Sequence, residues 1–292
     1  MGIVMALEYK AYAKVNLGLD VLRRREDGYH EVKMIMQTVN LFDRLKIEEI
    51  KGSERVIQII TDQDTIPANE DNLIYKAAKL LMDEFDINKG VKITLEKNIP
   101  VAAGMAGGST DAAATLIGVN ELFSLGLSKK DLMDRGVKIG ADVPYCIMGG
   151  TALSEGIGEI LTPVSGMPQC YILIAKPPIN VSTKFVYENL HANELKYHPD
   201  IDSMTDCIKA GDFAGVCKHM DNVLETVTVK EYPIIEEIKS FMKENGAVGS
   251  IMSGSGPTVF GLFDKEEVAK SAFEALKAKN FTKQEYLTDL VF

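Results

Sequence analysis

The chain has 292 residues, of which 46% are hydrophobic and 25% charged, an ordinary profile for a folded globular protein large enough for two domains. Its formal net charge of -10 argues against non-specific binding to nucleic acid or to an anionic membrane surface. The opening MGIVMALEYKAYAK carries acid and base too early for a secretion signal, and no apolar run reaches the roughly 18 residues of a membrane span. Cys146, Cys170, Cys207 and Cys217 form neither a C-x-x-C pair nor a zinc spacing, so buried thiols in a cytoplasmic protein are expected.

Residues 7 to 21 alternate: Ala13, Val15, Leu17, Leu19 and Val21 against Lys14, Asn16, Gly18 and Asp20. Period two predicts a strand with Lys14 and Asn16 on its more polar face. Asp27-Gly28 is a hairpin signal, followed at once by Tyr29 and His30. Such a pair can stack on a planar ring and hydrogen-bond its edge, or simply pack a loop. Residues 32 to 61 hold three strand candidates, VKMIMQTVNLF, DRLKIEEI and RVIQIIT. A helix, LIYKAAKLLMDEF, follows with Asn72 at its N-cap, and VKITLEKNIP is a further strand.

That strand feeds NIPVAAGMAGGSTDAAATLIGVNELF, residues 98 to 123, the stretch richest in chemical information. Gly104, Gly107 and Gly108 allow close backbone approach, and Ser109 and Thr110 are hydroxyls at the expected start of a helix. A helix N-terminus behind a glycine loop is an anion site, with phosphate the favoured anion. Read alone, the loop also has a plainer reading, a glycine turn that packs a helix against a strand. It lacks the Walker lysine and is not G-x-G-x-x-G, so phosphate would be held by backbone N–H groups, the helix dipole, a hydroxyl and a metal ion.

A helix, SKKDLMDRGVKIG, precedes GADVPYCIMGGTALSEGIGEIL, in which Asp142 stands ahead of a strand-like CIMGGTAL and Gly156, Gly158 and Glu159 form a hairpin turn. An acid at the edge of the core needs a partner or a job; the plainer reading is a helix-capping or turn aspartate. Pro163 to Pro168 mark a composition shift, dividing the chain into 1–163 and 164–292. Beyond it lie CYILIAK as a strand, a helix from Ser182, mostly helix from 201 to 244, the glycine turn GSIMSGSGPTVFGLF running into a strand, an amphipathic helix over 265–279 and a last short strand. Mixed strands and helices without regular alternation predict an α+β fold in two domains.

The order PVAAGMAGGSTDAAA, GADVPY and MSGSGPTVFGLF resembles the three motifs of the GHMP small-molecule kinases, the family of galactokinase, homoserine kinase and mevalonate kinase. Within it, AKVNLGLDVLRRREDGYHEV is similar to members whose acceptor alcohol carries a cytidyl diphosphate group. Thr110 and Met105 stand where relatives often have Ser and Leu. The resemblance implies two α+β domains with the active site in the cleft between them, ATP as co-substrate, Mg²⁺, and a monomer or homodimer. It implies Asp142 as catalytic base with Lys14 as its partner. It implies an ATP loop over Pro100, Val101, Ala102, Ala103, Gly104, Met105, Ala106, Gly107, Gly108, Ser109 and Thr110, with Asn72 and Lys97 flanking adenine. Asn16, Tyr29, His30 and Tyr187 would hold the cytidyl substrate, and Ser253 to Pro257 would lie beside the nucleotide loop. A homoserine- or mevalonate-type kinase, and a nucleotide-binding regulator without turnover, are the competing readings.

Overall fold

The computed structural model describes residues 6–52 and 54–292; the opening residues 1–5, on which the argument against a secretion signal partly rests, and Ser53 lie outside the described residues. Two long strands, β1 (Ala6–Arg24) and β2 (His30–Ile50), pair as a hairpin. Its turn is closed by Arg25 N–H donating to the Tyr29 carbonyl at 2.8 Å, with Gly28 at φ +89°. Glycine adopts that left-handed backbone at no steric cost, which is why Asp-Gly marks the hairpin. Residues 32–50, expected as two strands, are one continuous strand. Asn40 and Asp43 look like strand breakers. Instead, Asp43 stays in register and uses its carboxylate to accept the Asn98 and Ile99 N–H groups at 2.6 and 2.7 Å.

The chain forms two compact units that interleave in sequence. One comprises residues up to Ala13, Leu41–Val101 and Ala106–Met148; the other comprises Lys14–Asn40, Ala102–Met105 and Gly149–Phe292. The long strands are the physical reason: β1 and β2 each contribute to both, so the units do not follow a single cut of the chain.

In the first unit β2 pairs antiparallel with β4 (Gly90–Glu96), aligning Leu45 with Leu95 and Ile47 with Ile93. β3 (Ile57–Thr61) lies parallel to β4. Four helices belong here among the described residues: α1 (Leu73–Glu84), α2 (Gly107–Leu122), α3 (Lys129–Gly136) and α4 (Val143–Met148). Their apolar faces, including Ile74, Leu81, Leu116, Val119, Val143 and Ile147, close on Ile47, Ile93 and Leu95. Burial of that apolar surface is the main favourable term holding the unit together. Asn72 caps α1 as expected: its Oδ1 accepts the Ile74 N–H at 2.8 Å and its Nδ2 donates to the Pro67 carbonyl at 2.7 Å. Asn72→Ala should cost about 1 kcal/mol of stability, read as a lower denaturant midpoint at constant slope.

The strand expected over CIMGGTAL is corrected. Residues 143–148 are helix α4, and the next strand, β5 (Thr151–Gly156), begins only after Gly149 and Gly150, both at positive φ. A short apolar run does not distinguish strand from buried helix. Pro144 in the first turn was the available sign, because its ring presets φ for a helix start.

In the second unit the early part of β2 pairs with β5, and β5 with β6 (Ile160–Pro163), through the expected Gly156–Glu159 turn. A four-stranded antiparallel sheet runs β10–β7–β9–β8, built from β7 (Tyr171–Lys176), β8 (Gly249–Met252), β9 (Val259–Phe263) and β10 (Gln284–Asp289). Helices α5 (Thr183–Asn189), α6 (Ile201–Ala210), α7 (Phe213–Lys218), α8 (Glu225–Glu231), α9 (Ile234–Glu244) and α10 (Glu266–Lys279) complete it. Strand β8 was hidden in the glycine-rich segment 249–263, which forms a hairpin rather than a turn entering one strand. All pairings but β3–β4 between named strands of assigned register are antiparallel, in keeping with the α+β expectation.

Candidate active site

Left-handed backbone at Ala102, Gly104 and Ala106, with φ of 51°, 73° and 57°, alternates with ordinary φ at Ala103 and Met105. Alternation of this kind turns successive N–H groups toward one side and makes an anion-binding nest. Helix α2 begins at Gly107, and its first backbone bond runs from Thr110 N–H to the Ala106 carbonyl at 2.9 Å. The N–H groups of Gly107, Gly108 and Ser109 therefore precede the helical ladder and face the loop. Ser109 and Thr110 do not cap the helix; Ala106 occupies the cap position without a side-chain bond. A capping hydroxyl would occupy donors that an anion needs.

Gly104 cannot carry a side chain. A Cβ there would stand 2.2 Å from the Ser253 carbonyl oxygen. The glycine loop and the second glycine turn thus meet backbone to backbone within one unit, and Ser253 Oγ donates to the Gly104 carbonyl at 3.0 Å. Ser253 Oγ in turn accepts the Asn16 N–H at 3.3 Å, and Lys14 N–H donates to the Met105 carbonyl at 3.2 Å. The side chains follow the strand's period: Lys14 Nζ donates to Asn16 Oδ1 at 2.7 Å, and Asn16 Nδ2 to Met34 Sδ at 3.1 Å. Lys14 and Asn16 share a face as predicted, but that face is not solvated, for both residues are buried. A buried ammonium requires compensating partners, and its retention in this position needs a reason. Asn222, absent from the sequence-based site, holds the same turn by donating to the Met252 and Gly254 carbonyls at 2.9 and 2.8 Å. A single asparagine on a loop gave no signal for this.

His30 opens β2, and its ring lies 5.0 Å from that of Tyr187 on α5, tilted by 45°. The structure brings together these two residues, which are far apart in sequence. Tyr29, the neighbour in the predicted pair, is instead 59% exposed. Burial, assisted by the Arg24 charge, pushes the His30 imidazole below its ordinary pKa. The ring is therefore neutral at pH 7 and offers one donor and one acceptor nitrogen.

Asp142 immediately precedes α4, and its carbonyl accepts the Cys146 N–H at 3.0 Å. The turn that carries it lies against the start of α2: a Cβ on Gly140 would be 3.9 Å from Ser109 Oγ. Asp142 and the first turn of α2 are thus neighbours in the first unit, while Lys14 and Asn16 belong to the second.

Lys97 is fully engaged. Its N–H donates to Asp62 Oδ1 at 3.1 Å, its carbonyl accepts Gln63 Nε2 at 3.1 Å, and its Nζ donates to Asp111 Oδ2 at 2.8 Å and to Asp43. Asn72 is likewise engaged as the α1 cap. That Asp43, Lys97 and Asp111 meet is not legible in the sequence, because the buried triad is assembled from three separate segments. Among the described residues no cluster of three or more His, Cys, Asp or Glu side chains could hold a metal ion.

The family model of the GHMP kinases N terminal domain matches residues 72–150, and that of the GHMP kinases C terminal matches 204–282. The 4-diphosphocytidyl-2-C-methyl-D-erythritol kinase of Lachnoclostridium phytofermentans is 54% identical, over 97% of this chain and 96% of its own. The protein of that name from Geobacillus thermodenitrificans is 49% identical, over 94% and 93%. A crystal structure of 4-(cytidine 5'-diphospho)-2C-methyl-D-erythritol kinase superposes with a TM-score of 0.83 at 31% identity, covering 98% of this chain and 100% of that one. Homoserine kinase from Cytophaga hutchinsonii, with a TM-score of 0.79 at 19% identity over 99% and 96%, shares the fold.

Proposed function

This chain belongs to the GHMP kinases, and we propose on that premise that it transfers the γ-phosphoryl group of ATP to the 2-hydroxyl of 4-diphosphocytidyl-2-C-methyl-D-erythritol, a step toward isoprenoid precursors in the non-mevalonate pathway. The observation that carries the choice of alcohol is the His30–Tyr187 pair, with its neutral imidazole, in the unit that also holds Lys14 and Asn16. An aromatic face and a ring with one donor and one acceptor suit cytosine, whose edge presents an amino group and a carbonyl. Neither homoserine nor mevalonate has such a ring to receive.

In this reading Pro100 to Thr110 receive the nucleotide phosphates on backbone N–H groups and the α2 dipole. Asn16, Tyr29, His30 and Tyr187 hold the cytidyl end. Asp142 takes the proton from the acceptor hydroxyl as its oxygen bonds to the γ-phosphorus, while the bond to the β,γ-bridging oxygen breaks and ADP leaves. Lys14 stabilises the charge that develops in this step. Ser109 would share Mg²⁺ with the phosphates, and the cation when bound neutralises charge on them. Ser253 to Pro257 support the loop through Gly104. The enzyme would act in the cytoplasm as a monomer or homodimer; no helix among the described residues is long and apolar enough to cross a membrane.

ATP consumption with the cytidyl alcohol, homoserine, mevalonate or no acceptor tests the proposal. Turnover is expected with the first alone, and turnover with none of them would favour a regulator. His30→Ala should raise the KM for the cytidyl alcohol by about tenfold, the scale of one lost hydrogen-bonded contact, and leave the KM for ATP in place. A change confined to the ATP KM would move this pair out of the acceptor site.

A further inference from the structure

We infer that residues 190–202 form a strap on the β1–β2 hairpin, latched by a bond between His198 and Asp20, and that this latch is a positioning element of the cytidyl subsite. It holds the Tyr187 ring at the distance from His30 at which cytosine is received. The inference rests on the reading of the His30–Tyr187 pair as that subsite. Tyr187 lies near the end of α5, and the chain runs directly from it into the strap and on to α6. His30 lies on the hairpin. What fixes the strap to the hairpin therefore fixes one ring against the other.

Contacts on both strands pin it, all within the second unit. Near the hairpin tip, Asn193 Oδ1 accepts the Arg24 N–H at 3.2 Å. Further along β1, His198 Nδ1 donates to Asp20 Oδ1 and Oδ2 at 2.9 and 3.1 Å. On β2, Lys33 Nζ donates to both oxygens of Asp202 at 2.7 Å. The start of α6 then lies on the β1 backbone: a Cβ on Gly18 would stand 2.9 Å from Ile201 Cδ1 and 3.1 Å from Met204 Cε.

These contacts are unequal, and burial decides between them. The Asp202 side chain is 79% exposed, so its pair with Lys33 competes with water and contributes little. The Asp20 side chain is only 4% exposed. Aspartate is a poor strand former, and a buried one needs a partner. His198 supplies that partner from the strap. The preceding residue, Tyr197, bonds Asp221, whose carbonyl accepts the Leu19 N–H at 2.9 Å, so the strap is held at neighbouring positions of β1. Without His198 the Asp20 carboxylate must be hydrated, and water reaches it by lifting the strap. Tyr187 then loses its fixed place, and ordering it again counts against substrate binding. Asp20 and His198 thus act through Tyr187.

His198→Ala removes the latch without opening the core, because that side chain is 44% exposed. It should raise the KM for the cytidyl alcohol roughly fivefold, the scale of one net hydrogen bond, and leave kcat and the KM for ATP in place. In calorimetry CDP, which carries the cytidyl end without the alcohol, should bind more weakly by the same factor, and ADP equally well. His198→Asn should restore both values, because its Nδ2 takes the place of the imidazole Nδ1 and donates to Asp20. Unchanged CDP affinity in His198→Ala, with or without a lower melting temperature, would make the bond a purely structural one and overturn the inference. An equal loss for ADP, or no restoration by Asn, would also overturn it. Asn193→Ala, which unpins the strap at an exposed position, should weaken CDP in the same direction, and it decides if His198→Ala does not fold. Absence of CDP binding to the unmodified enzyme would instead strike the cytidyl reading itself, and with it the inference built on that reading.

Discussion

Asp142→Asn is expected to lower kcat by roughly 10²–10⁴-fold, the usual range for a general base, with ATP still bound. The substitution preserves shape and removes the proposed proton acceptor at the turn before α4, where the bond from Cys146 N–H to the Asp142 carbonyl is a backbone bond and survives the change. Lys14→Met should also lower kcat, for the buried ammonium would no longer meet the charge that develops on transfer. If the two residues act as one unit, the double variant should be little slower than the slower single variant. Additive losses would separate their roles. Near-normal turnover by Asp142→Asn would remove the base and leave a kinase that works by positioning and metal, with the hydroxyl proton lost late to phosphate or water.

The second large effect concerns the loop. Gly108→Val should abolish measurable ATP binding, or weaken it by roughly 100-fold or more, since 2.7 kcal/mol of lost contacts already gives that factor, while leaving the protein folded. The choice of Gly108 over its neighbours comes from geometry. A Cβ at Gly104 would collide with the Ser253 carbonyl, and one at Gly107 would press on Lys97 Nζ, so either change disturbs the protein itself. At Gly108 the nearest protein atom to a Cβ is Leu73 Cδ1 at 3.6 Å, ordinary contact, so a side chain there would obstruct a ligand rather than the fold. Calorimetry with ATP and a thermal unfolding curve on the same preparation distinguish the two cases. Unchanged ATP affinity in a folded Gly108→Val protein takes this part of the loop out of the site.

The elements that were legible in the sequence are those whose signals are local. The Asp27-Gly28 hairpin, the Asn72 helix start and the strand read from the alternation over residues 7 to 21 each depend on a few adjacent residues, and each is present. Misreadings arose where a distant contact overrode a local preference. Asn40 and Asp43 did not end β2, because Asp43 bonds a segment some 55 residues away. The first part of CIMGGTAL, residues 146–148, ends helix α4, whose apolar residues join the core with those of α2, and only Thr151–Leu153 enter a strand. The glycine loop and the helix behind it were legible, yet the expected hydroxyl cap is absent, because Ala106 in the left-handed region takes the cap position. Tyr29 and His30 were adjacent in the chain and read as one pair, but His30 instead meets Tyr187 from α5. The triad beneath the loop was invisible for the same reason: three segments bring it together only once the sheet and α2 have packed.

The most direct test of the account is the fate of the γ-phosphoryl group. The purified enzyme is incubated with ATP, Mg²⁺ and 4-diphosphocytidyl-2-C-methyl-D-erythritol, and the product is examined by phosphorus NMR and mass spectrometry. The account predicts one new phosphomonoester on the 2-hydroxyl, formed in step with ADP, and no such product from homoserine or mevalonate. A phosphomonoester formed from either of those alcohols and none from the cytidyl compound would contradict it.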